Sequence, residues 1–511
     1  GIDLIMPDIE FIDGIKDDLL GLVLTHAHED HIGAVVHLWP SFRCPLYATP
    51  FTATILKAKL AEAGLLDLAT IHIIPLGGEF SLGDFNVQYV GLTHSIPEPN
   101  ALRIKTPFGT IFHTGDWKID PDPVLGQAID ENELMGIGDD GVLAIVCDST
   151  NVFNEKASGS EMAVRHSIEE ILAHKEGAVF CTTFSSNVAR VETLAYVAKQ
   201  TGRHLCLVGR SLIRNVAAAR ENGYLKGFPT IYSEEDASHM PRHKLLYICT
   251  GCQGEARAAL MRIILDNNRH VHLSKGDTVL FSSKIIPGNE LTLWRTHNLI
   301  TEKSVEIITE KDAFVHVSGH PGQEELKQMY AWIRPQIVVP THGERRHLLK
   351  QAEFAKSLGY KNTIVPKNGS VIRLAPGPVS IINEVACGRL ALDGKILVKD
   401  EDIAIVERRR ILFNGALTIN VIMNGEGHLL APFEITCLGI PDTKTGQLHH
   451  YIEEELHKAL TKMTKKLLMD DGVIKEAIRI AGRKAVKTFT AKQTGPVTKV
   501  SLTRLNGFER G

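Results

Sequence analysis

The chain has 511 residues, of which 44% are hydrophobic and 23% charged, and its formal net charge is −4 at pH 7. This length is too great for one ordinary domain, and the composition is typical of soluble globular proteins. The small negative charge argues against a protein that coats nucleic acid by bulk electrostatics, although it leaves room for a local basic groove. The apolar runs are too short to cross a bilayer and no signal segment precedes them, which predicts a cytoplasmic protein without a membrane partner.

Eight cysteines scattered over so long a chain do not form a disulfide framework. Cys249-x-x-Cys252 lacks the second pair of a zinc ribbon, so we interpret it as incidental, with a redox role as the alternative. The chain opens at Gly1 rather than at a methionine, as if in the middle of a domain, and we expect further sequence upstream.

A metal-binding pattern directly follows the apolar run 19–24, which we predict to be a buried strand. His26-x-His28-x-Asp30-His31 places three imidazoles and a carboxylate on a turn before a predicted helix at 32–39. Neutral imidazole and carboxylate suit Zn²⁺, and a catalytic ion keeps part of its coordination for water. A polar, histidine-rich surface loop is the alternative, but the specific spacing favours a metal site.

Short apolar runs separated by turns continue to about residue 156 and predict further strands at 85–90, 110–113 and 142–147. His94 follows the first of these and Asp116 the second, and a rigid sheet can aim side chains at strand ends. Taken alone, His94 would be a structural histidine and Asp116 a turn residue. We interpret them as further ligands because the first pattern needs partners downstream.

From about residue 157 to 315 the pattern alternates between strand and helix, which predicts parallel βαβ units with helices covering a sheet. The predicted strands are 178–184, 204–208 and 244–250, and the predicted helices are 188–200, 212–221 and 255–265. This part is expected to be a separate α/β domain inserted into the first.

The first domain is expected to resume over residues 316–394. A predicted strand at 313–320 ends in Ser318-Gly319-His320, a helix follows at 323–332, and a strand within 336–344 ends in His342-Gly343. Residues 395–412 read as a charged linker, and 413–511 as a small α/β domain with strands at 416–423 and 497–502 and helices at 452–469 and 474–487. Basic side chains on these two helices can meet phosphates, or they can form an ordinary solvated face.

Together these motifs resemble the metallo-β-lactamase superfamily and, within it, the β-CASP nucleases of the bacterial ribonuclease J family. Further strings that carry the resemblance are CDSTN at 147–151, TFSSN at 183–187, CTGCQGE at 249–255 and PGNE at 287–290. The resemblance implies an α/β fold: an αββα metallo-β-lactamase sandwich from 1–156 and 316–394, an inserted β-CASP domain at 157–315, and a C-terminal α/β domain.

The resemblance also implies a two-metal ribonuclease that acts in RNA turnover and maturation. It assigns one ion to His26, His28 and His94, a second to Asp30, His31 and His342, and a bridging role to Asp116. The ions are expected to be zinc, with manganese or magnesium as alternatives, and a hydroxide held by them would attack the phosphodiester. The expected activities are 5′-to-3′ exonuclease, with preference for single-stranded RNA bearing a 5′-monophosphate, and endonuclease.

His320 is similar to the β-CASP histidine that stabilises the transition state or protonates the leaving oxygen, and Asp148 to the acidic residue that orients it. The alternatives are a buried structural histidine and a helix-capping aspartate. For the 5′-phosphate, the candidates are Ser185, Ser186, Asn187, Ser318 and His320; ordinary helix capping explains 185–187 almost as well. His316 is a lesser candidate.

The family's earliest motif, an aspartate that supports a metal-ligating histidine, is expected upstream of Gly1. Family members commonly form dimers or tetramers, and the C-terminal domain is the expected interface. Three rival functions remain. A small-molecule metallohydrolase is disfavoured because a small substrate does not require an inserted α/β domain beside the metal site, whereas a polynucleotide needs a channel. A DNA-processing β-CASP enzyme is not separable by sequence, because contacts to the 2′-hydroxyl cannot be read from it. A scaffold with a degenerate centre is disfavoured by the complete ligand set.

Overall fold

The computed structural model describes residue 2 and residues 4–442 and 446–505; the predicted outer domain boundaries at residues 1 and 511 lie outside the described residues. The strands are β1 (Leu4–Pro7), β2 (Leu22–Val23), β3 (Leu46–Ala48), β4 (Ile71–Ile73), β5 (Glu79–Leu82), β6 (Phe85–Gly91), β7 (Asn100–Thr106), β8 (Gly109–His113), β9 (Ala144–Asp148), β10 (Val179–Thr182), β11 (His204–Val208), β12 (Ile231–Tyr232), β13 (Leu245–Cys249), β14 (Thr278–Phe281), β15 (Glu306–Ile308), β16 (Ile337–Thr341), β17 (Ser370–Arg373), β18 (Ser380–Glu384), β19 (Arg389–Asp393), β20 (Ile396–Lys399), β21 (Ala416–Asn424), β22 (Glu434–Leu438) and β23 (Val497–Leu505).

The α-helices are α1 (Glu29–Ile32), α2 (Val35–Phe42), α3 (Pro50–Glu62), α4 (Glu131–Asp139), α5 (Glu161–Ala173), α6 (Val188–Gln200), α7 (Arg210–Glu221), α8 (Glu234–Ser238), α9 (Ala259–Ile264), α10 (Glu290–Glu302), α11 (Gln323–Ile333), α12 (Arg345–Ser357), α13 (Ile403–Asn414), α14 (Gln447–Thr461) and α15 (Asp471–Thr490). Within the described residues, no helix combines the length and the apolar composition that a membrane crossing requires.

The larger of two compact units contains residues 9–387 and is built on two sheets and an inserted domain. A six-stranded sheet, in the order β16-β9-β8-β7-β6-β5, faces the three-stranded sheet β2-β3-β4. Val87, Tyr89 and Leu102 pack between the two sheets against Val23 and Phe80. On its outer face the large sheet is covered by apolar side chains of α4 and α11. This is the αββα arrangement that the motifs predicted, and the metallo-β-lactamase fold is confirmed.

The inserted domain contains a six-stranded parallel sheet in the order β12-β11-β13-β10-β14-β15. Apolar side chains of α5, α6 and α7 cover one face, and those of α9 and α10 cover the other. The predicted helix 188–200 and strand 204–208 occur with the expected bounds. The helix predicted at 255–265 begins only at Ala259, because the backbone N–H groups of Ala259 and Leu260 bond to Thr250 instead of continuing a helix from residue 255.

The strand predicted at 313–320 does not form. The reason is visible at Val315, whose carbonyl oxygen accepts hydrogen bonds from the Arg190 guanidinium at 2.8 Å and from the Ser282 hydroxyl at 2.7 Å. Because side chains from distant elements satisfy this carbonyl, the apolar run is buried without a neighbouring strand.

The smaller unit combines the described residues up to residue 8 with the described residues from 388 onward. β1 pairs antiparallel with β19, which in turn pairs with β20, and the sheet β22-β21-β23 packs α14 and α15 on one face. Residues 395–412, which the sequence predicts to be a linker, contain β20 and most of α13. On the surface of α14 and α15, Lys458 pairs with Glu455 and Arg479 with Glu476, as in a solvated helix face.

Candidate metal centre

The topology of the large sheet brings the predicted site residues to one edge. β6 and β8 are both antiparallel to β7 and therefore run in the same direction, and β8, β9 and β16 pair in parallel. The carboxyl ends of these four strands lie together, and they are followed or ended by His94, Asp116, Asp148 and His342. The turn after β2 brings the histidines of the first pattern to the same place.

The first ligand group consists of His26, His28, His94 and Asp116, whose ligand atoms all lie within 4.8 Å of one another. Nδ1 of His28 is 3.1 Å from Nε2 of His26 and 3.0 Å from Nε2 of His94. The Asp116 carboxylate is 3.8 Å from His26 Nε2. Three ring nitrogens therefore converge on one point.

The opposite nitrogen of each of these imidazoles faces an oxygen. His26 Nδ1 lies 3.0 Å from the Thr25 hydroxyl, and His28 Nε2 lies 3.4 Å from the Ser95 hydroxyl. His94 Nδ1 donates to the carbonyl of Gly319 at 2.5 Å. A Cβ at residue 319 would lie 2.7 Å from the His94 ring, so this approach requires glycine. Such partners fix the tautomer that leaves the inner nitrogen free to bind a metal.

The donor set of the first group fits a zinc ion. Zn–N bonds of about 2.0–2.1 Å in tetrahedral geometry separate the ligating nitrogens by roughly 3.3–3.4 Å, close to the spacings observed here. Burial, with the neighbouring imidazoles, holds the pKa of His26 and His94 well below the usual value. Burial also lowers the pKa of His28 to about 4, despite the raising effect of Asp30 and Asp116. These imidazoles are neutral at physiological pH, as metal ligands must be.

The second ligand group consists of Asp30, His31, His342 and again Asp116. His31 Nε2 is 3.2 Å from Asp116 Oδ2 and 3.5 Å from Asp30 Oδ2, and His342 Nε2 is 3.3 Å from Asp30 Oδ2. Asp116 thus belongs to both groups and lies between them. Burial lowers the pKa of His342, but hydrogen bonding to Asp148 and Asp30 outweighs it and raises that pKa to about 11.

His342 adopts a left-handed backbone conformation, with φ of 52°. This is uncommon for residues other than glycine, and it persists only where the surroundings hold it. The Ser149 hydroxyl donates to the His342 carbonyl at 2.7 Å, and the Thr150 hydroxyl lies 2.8 Å from His342 Nδ1. The turn after β9 therefore fixes both the backbone and the ring of this histidine.

His320 and Asp148 form a pair beside the second group. His320 Nδ1 is 2.8 Å from Asp148 Oδ2, and Asp148 is fully buried. Burial lowers the pKa of His320, but the Asp148 carboxylate outweighs it and raises that pKa above the usual value. Burial alone would raise the pKa of Asp148, whereas its contacts with His320 and His342 hold it well below the usual range. The pair provides an oriented imidazole with a raised pKa at the edge of the ligand groups.

The predicted phosphate-binding residues lie at two places. Asn187 caps α6, since its side chain accepts a hydrogen bond from the Arg190 N–H at 2.9 Å, which is the helix-capping role given above as the alternative. Ser185 and Ser186 are half-buried beside it. The Ala189 N–H donates to the Ser95 carbonyl at 3.2 Å, so the start of α6 contacts the loop that carries His94. The Ser318 hydroxyl is engaged with the backbone of His320. His316 has a buried Nδ1 without a hydrogen-bond partner among the described residues.

Sequence reasoning did not single out Thr25, Ser95, Thr150 and Gly319, which orient the ligand imidazoles. Thr25, Ser95 and Gly319 each adjoin a predicted site residue, and Thr150 lies in the CDSTN string, so proximity was the available signal. The pair Cys249 and Cys252 is buried, and burial raises the pKa of Cys252 to about 12, which agrees with an incidental role.

Comparison with known families covers most of the chain. Residues 15–137 match a β-lactamase superfamily domain, and residues 176–300 match the ribonuclease J β-CASP domain. Residues 304–366 match a Zn-dependent metallo-hydrolase RNA specificity domain, and residues 403–498 match the ribonuclease J C-terminal domain.

Curated relatives extend this likeness over the full length. A ribonuclease J of Sinorhizobium meliloti is 41% identical over 507 residues, which cover 99% of this chain and 90% of that protein. The chain belongs to the ribonuclease J family. A ribonuclease J of Mycolicibacterium smegmatis is 36% identical, and the match covers 86% of this chain and 80% of that protein. A ribonuclease J of Helicobacter pylori strain B128 is 31% identical, and the match covers 89% of this chain and 66% of that protein. A crystal structure of a protein of unknown function from Enterococcus faecalis V583 has a TM-score of 0.47 at 16% identity, and the match covers 68% of this chain and 79% of that chain.

Membership of the ribonuclease J family, with its metallo-β-lactamase and β-CASP domains, makes this chain a metal-dependent nuclease that hydrolyses RNA. Residues 304–366 match a domain described as that of Zn-dependent metallo-hydrolases, and the clustered His and Asp side chains are capable of holding divalent ions.

Proposed function

We propose that the chain is a two-metal ribonuclease that uses zinc, with His26, His28 and His94 binding one ion, Asp30, His31 and His342 the second, and Asp116 bridging them. The observation that carries the proposal is the position of Asp116, whose carboxylate lies 3.2 Å from His31, 3.4 Å from His342 and 3.8 Å from His26. A carboxylate between two converging ligand sets is suited to hold two ions close together.

In this proposal each residue beyond the ligands has a defined task. When bound, the ions supply a nucleophilic water of lowered pKa and stabilise charge on the phosphate oxygens. His320 donates a proton to the leaving oxygen or a hydrogen bond to the transition state, a role that its raised pKa favours. Asp148 holds the ring of His320 through the contact with Nδ1, which leaves Nε2 as the group that acts on substrate.

We further propose 5′-to-3′ exonuclease activity with preference for a 5′-monophosphate, together with endonuclease activity, in RNA turnover and maturation. Support for a phosphate site comes from the start of α6, where Ser185 and Ser186 are half-buried and the helix dipole favours an anion. The first N–H groups of the helix are bonded within the protein, so the hydroxyl groups of these serines would be the donors to a phosphate. Contact between α6 and Ser95 brings this site close to the metal ligands. Ser318 and His320 would contact the same or the neighbouring phosphate.

The proposal also includes the domain division stated above, with a β-CASP domain at 157–315. It further includes a homodimer or homotetramer formed through the C-terminal domain. Support for the interface comes from exposed apolar side chains in the smaller unit: Leu412 and Phe413 at the end of α13 are 79% and 73% exposed. A cytoplasmic location stays a prediction.

Cleavage of matched substrates tests the activity. The purified chain would be given one single-stranded RNA sequence with a 5′-monophosphate, a 5′-triphosphate or a 5′-hydroxyl, the same RNA circularised, and the matching DNA, with zinc, manganese or magnesium. We expect mononucleotides to be released fastest from the monophosphate, internal cuts in the circle, and little cleavage of DNA.

His28→Ala should abolish cleavage and metal binding at the first group, whereas His37→Ala, a histidine of α2 outside both groups, should leave both unchanged. Equal rates on all three 5′ ends would overturn the monophosphate preference, an intact circle would overturn the endonuclease activity, and faster cutting of DNA would favour a DNA-processing role.

A further inference from the structure

A buried ion pair in the inserted domain lies outside the ligand groups. Arg190 of α6 is fully buried, and Glu161, at the start of α5, is 3% exposed. Three hydrogen bonds of 3.0–3.2 Å join Nε and Nη2 of Arg190 to the two carboxylate oxygens of Glu161. Removing two charges from water costs free energy, which their mutual attraction offsets only if the other hydrogen-bonding groups of both side chains are also satisfied.

The remaining donor of Arg190 is directed at the segment that leads to His320. Nη1 of Arg190 donates to the Val315 carbonyl at 2.8 Å, to the Ser282 carbonyl at 3.1 Å and to the Ser282 hydroxyl. Ser282 is fully buried at the end of β14, and its hydroxyl also donates to the Val315 carbonyl. Val315 is therefore held by two donors rather than by a strand.

Val315 begins a short segment, 315–320, that ends in the metal centre. Val315 and Val317 are buried, and the Gly319 carbonyl accepts from His94 Nδ1 at 2.5 Å. One residue later His320 contacts Asp148 at 2.8 Å. The segment is thus fixed at one end by the inserted domain and at the other by two residues of the sandwich.

A second contact ties the same ion pair to the loop of Asp116. The Glu161 N–H donates to Asp120 at 2.9 Å, and Asp120 pairs with the buried Lys118 at 2.9 Å. Lys118 follows Asp116 by two residues, so the start of α5 is bonded to the chain that carries the shared ligand.

We propose that Glu161, Arg190 and Ser282 form a positioning unit for His320, which acts by holding Val315 and through it the 315–320 segment. The proposal rests on the catalytic role of His320 put forward above. These residues do not contact the reacting atoms themselves. Their function is to make the placement of His320 depend on the inserted domain, where the substrate phosphate is expected to bind.

Single-turnover and steady-state cleavage of a 5′-monophosphorylated RNA by the full chain tests this with two variants. Ser282→Ala removes one donor to Val315, and Arg190→Lys removes the fork that bonds Glu161, Ser282 and Val315. Each has a matched control. Thr296→Val removes a buried hydroxyl that donates to a backbone carbonyl at 2.9 Å in α10. Arg203→Lys changes a buried arginine that donates to the carbonyl oxygens of Lys175, Gly177 and Leu245.

We expect kcat to fall by about 10-fold for Ser282→Ala and by up to about 100-fold for Arg190→Lys, because a displacement near 1 Å suffices for such losses. KM and the content of bound metal should stay unchanged in both. The controls should lose thermal stability to a similar extent and keep kcat within about twofold, since a buried hydrogen bond is lost in each. If Arg190→Lys does not fold, Ser282→Ala decides alone.

A double variant separates positioning from general damage. In the His320→Ala background, Ser282→Ala should cause no further loss of kcat, because both changes act through one group. The positioning role would be overturned if the losses of kcat from His320→Ala and Ser282→Ala multiplied in the double variant. It would also be overturned if Ser282→Ala alone kept the kcat of the controls or changed only KM. If His320→Ala itself keeps full kcat, the proposed role of His320 fails instead, so the two failures are distinguishable.

Discussion

The first ligand group is buried and built almost entirely from imidazoles, whereas the second lies toward solvent and contains more carboxylate. The side chain of His26 is inaccessible, while those of His342 and Asp30 are 33% and 60% exposed. Burial lowers the pKa of the imidazoles in the first group, but hydrogen bonding to Asp148 and Asp30 outweighs burial and raises the pKa of His342 in the second. Asp116 is common to both.

The difference shows two ways of preparing a metal site. In the first group the histidines are neutral and each outer nitrogen has an oxygen partner, so an ion meets ligands that carry no competing proton. In the second group a proton on His342 is held by Asp30 and Asp148, and an ion must displace it. We therefore expect the first site to hold its ion tightly and the second to exchange.

The largest effect should come from the residue that the groups share. Asp116→Ala removes one ligand from each group, and we expect both ions to be lost. RNA cleavage should fall by more than the roughly 100-fold that is typical when a residue hydrogen-bonded to a metal ligand is replaced. Metal analysis together with the cleavage rate measures this. Retention of one tightly bound ion with substantial activity would show that Asp116 does not join the two sites.

A ligand of the second group alone should have a smaller, recoverable effect. Asp30→Ala is expected to weaken the second ion and lower activity by roughly 10–100-fold, with recovery at high metal concentration, while the first ion stays bound. Glu29→Ala is the matched control, because Glu29 is an exposed carboxylate of the same turn that pairs with Lys59. Loss of the tightly bound ion in Asp30→Ala would remove the distinction between the groups.

Local patterns were enough to single out residues that the structure brings together, because His94, Asp116 and His342 each follow a strand and the end of a strand can be predicted where an apolar run stops. His94, Asp116 and His342 are separated by up to 248 residues, yet the direction of β6, β8 and β16 brings them together. Helix α6 was predicted with correct bounds because its apolar periodicity and its stop before Gly202 are both local.

Contacts made by distant side chains could not be predicted. The run 313–320 has the composition of a strand, but Arg190 and Ser282 satisfy the Val315 carbonyl, and neither is near it in sequence. Likewise β1 pairs with β19, whose residues follow more than 380 positions later in the chain, and residues 396–399 form β20 in that same sheet. Pairings of this kind depend on the assembled fold and leave no local periodicity.

Lowering the pH should separate the two sites further. Because burial lowers the pKa of His28 to about 4, the first group stays deprotonated across pH 5–8, and its affinity should be nearly constant there. Because the pKa of His342 is raised to about 11, this residue is protonated at neutral pH without metal, and the affinity of the second site should rise by about tenfold per pH unit.

Dialysis against a weak chelator at pH 5, 6, 7 and 8, followed by metal analysis, measures this dependence. The chain should keep one ion at pH 5 and approach two at pH 8. Parallel loss of both ions as the pH falls would contradict the assignment of different protonation states to the two groups.

The smallest expected effect concerns the hydroxyl groups behind two of the histidines. Thr25 lies 3.0 Å from His26 Nδ1 in the first group, and Thr150 lies 2.8 Å from His342 Nδ1 in the second. Valine at either position keeps the shape of the side chain and removes the partner that orients the ring. We expect Thr25→Val to weaken only the first ion, by about tenfold, since His26 Nδ1 has no other hydrogen-bond partner within the part of the chain that the structure describes. Thr150→Val should weaken only the second ion, and by less, because Asp148 lies 3.4 Å from the same nitrogen and can orient the ring in its place.

Zinc titration of the two variants in parallel measures both affinities. An equal effect on both ions in either variant would show that the hydroxyls act on the site as a whole rather than on one histidine each.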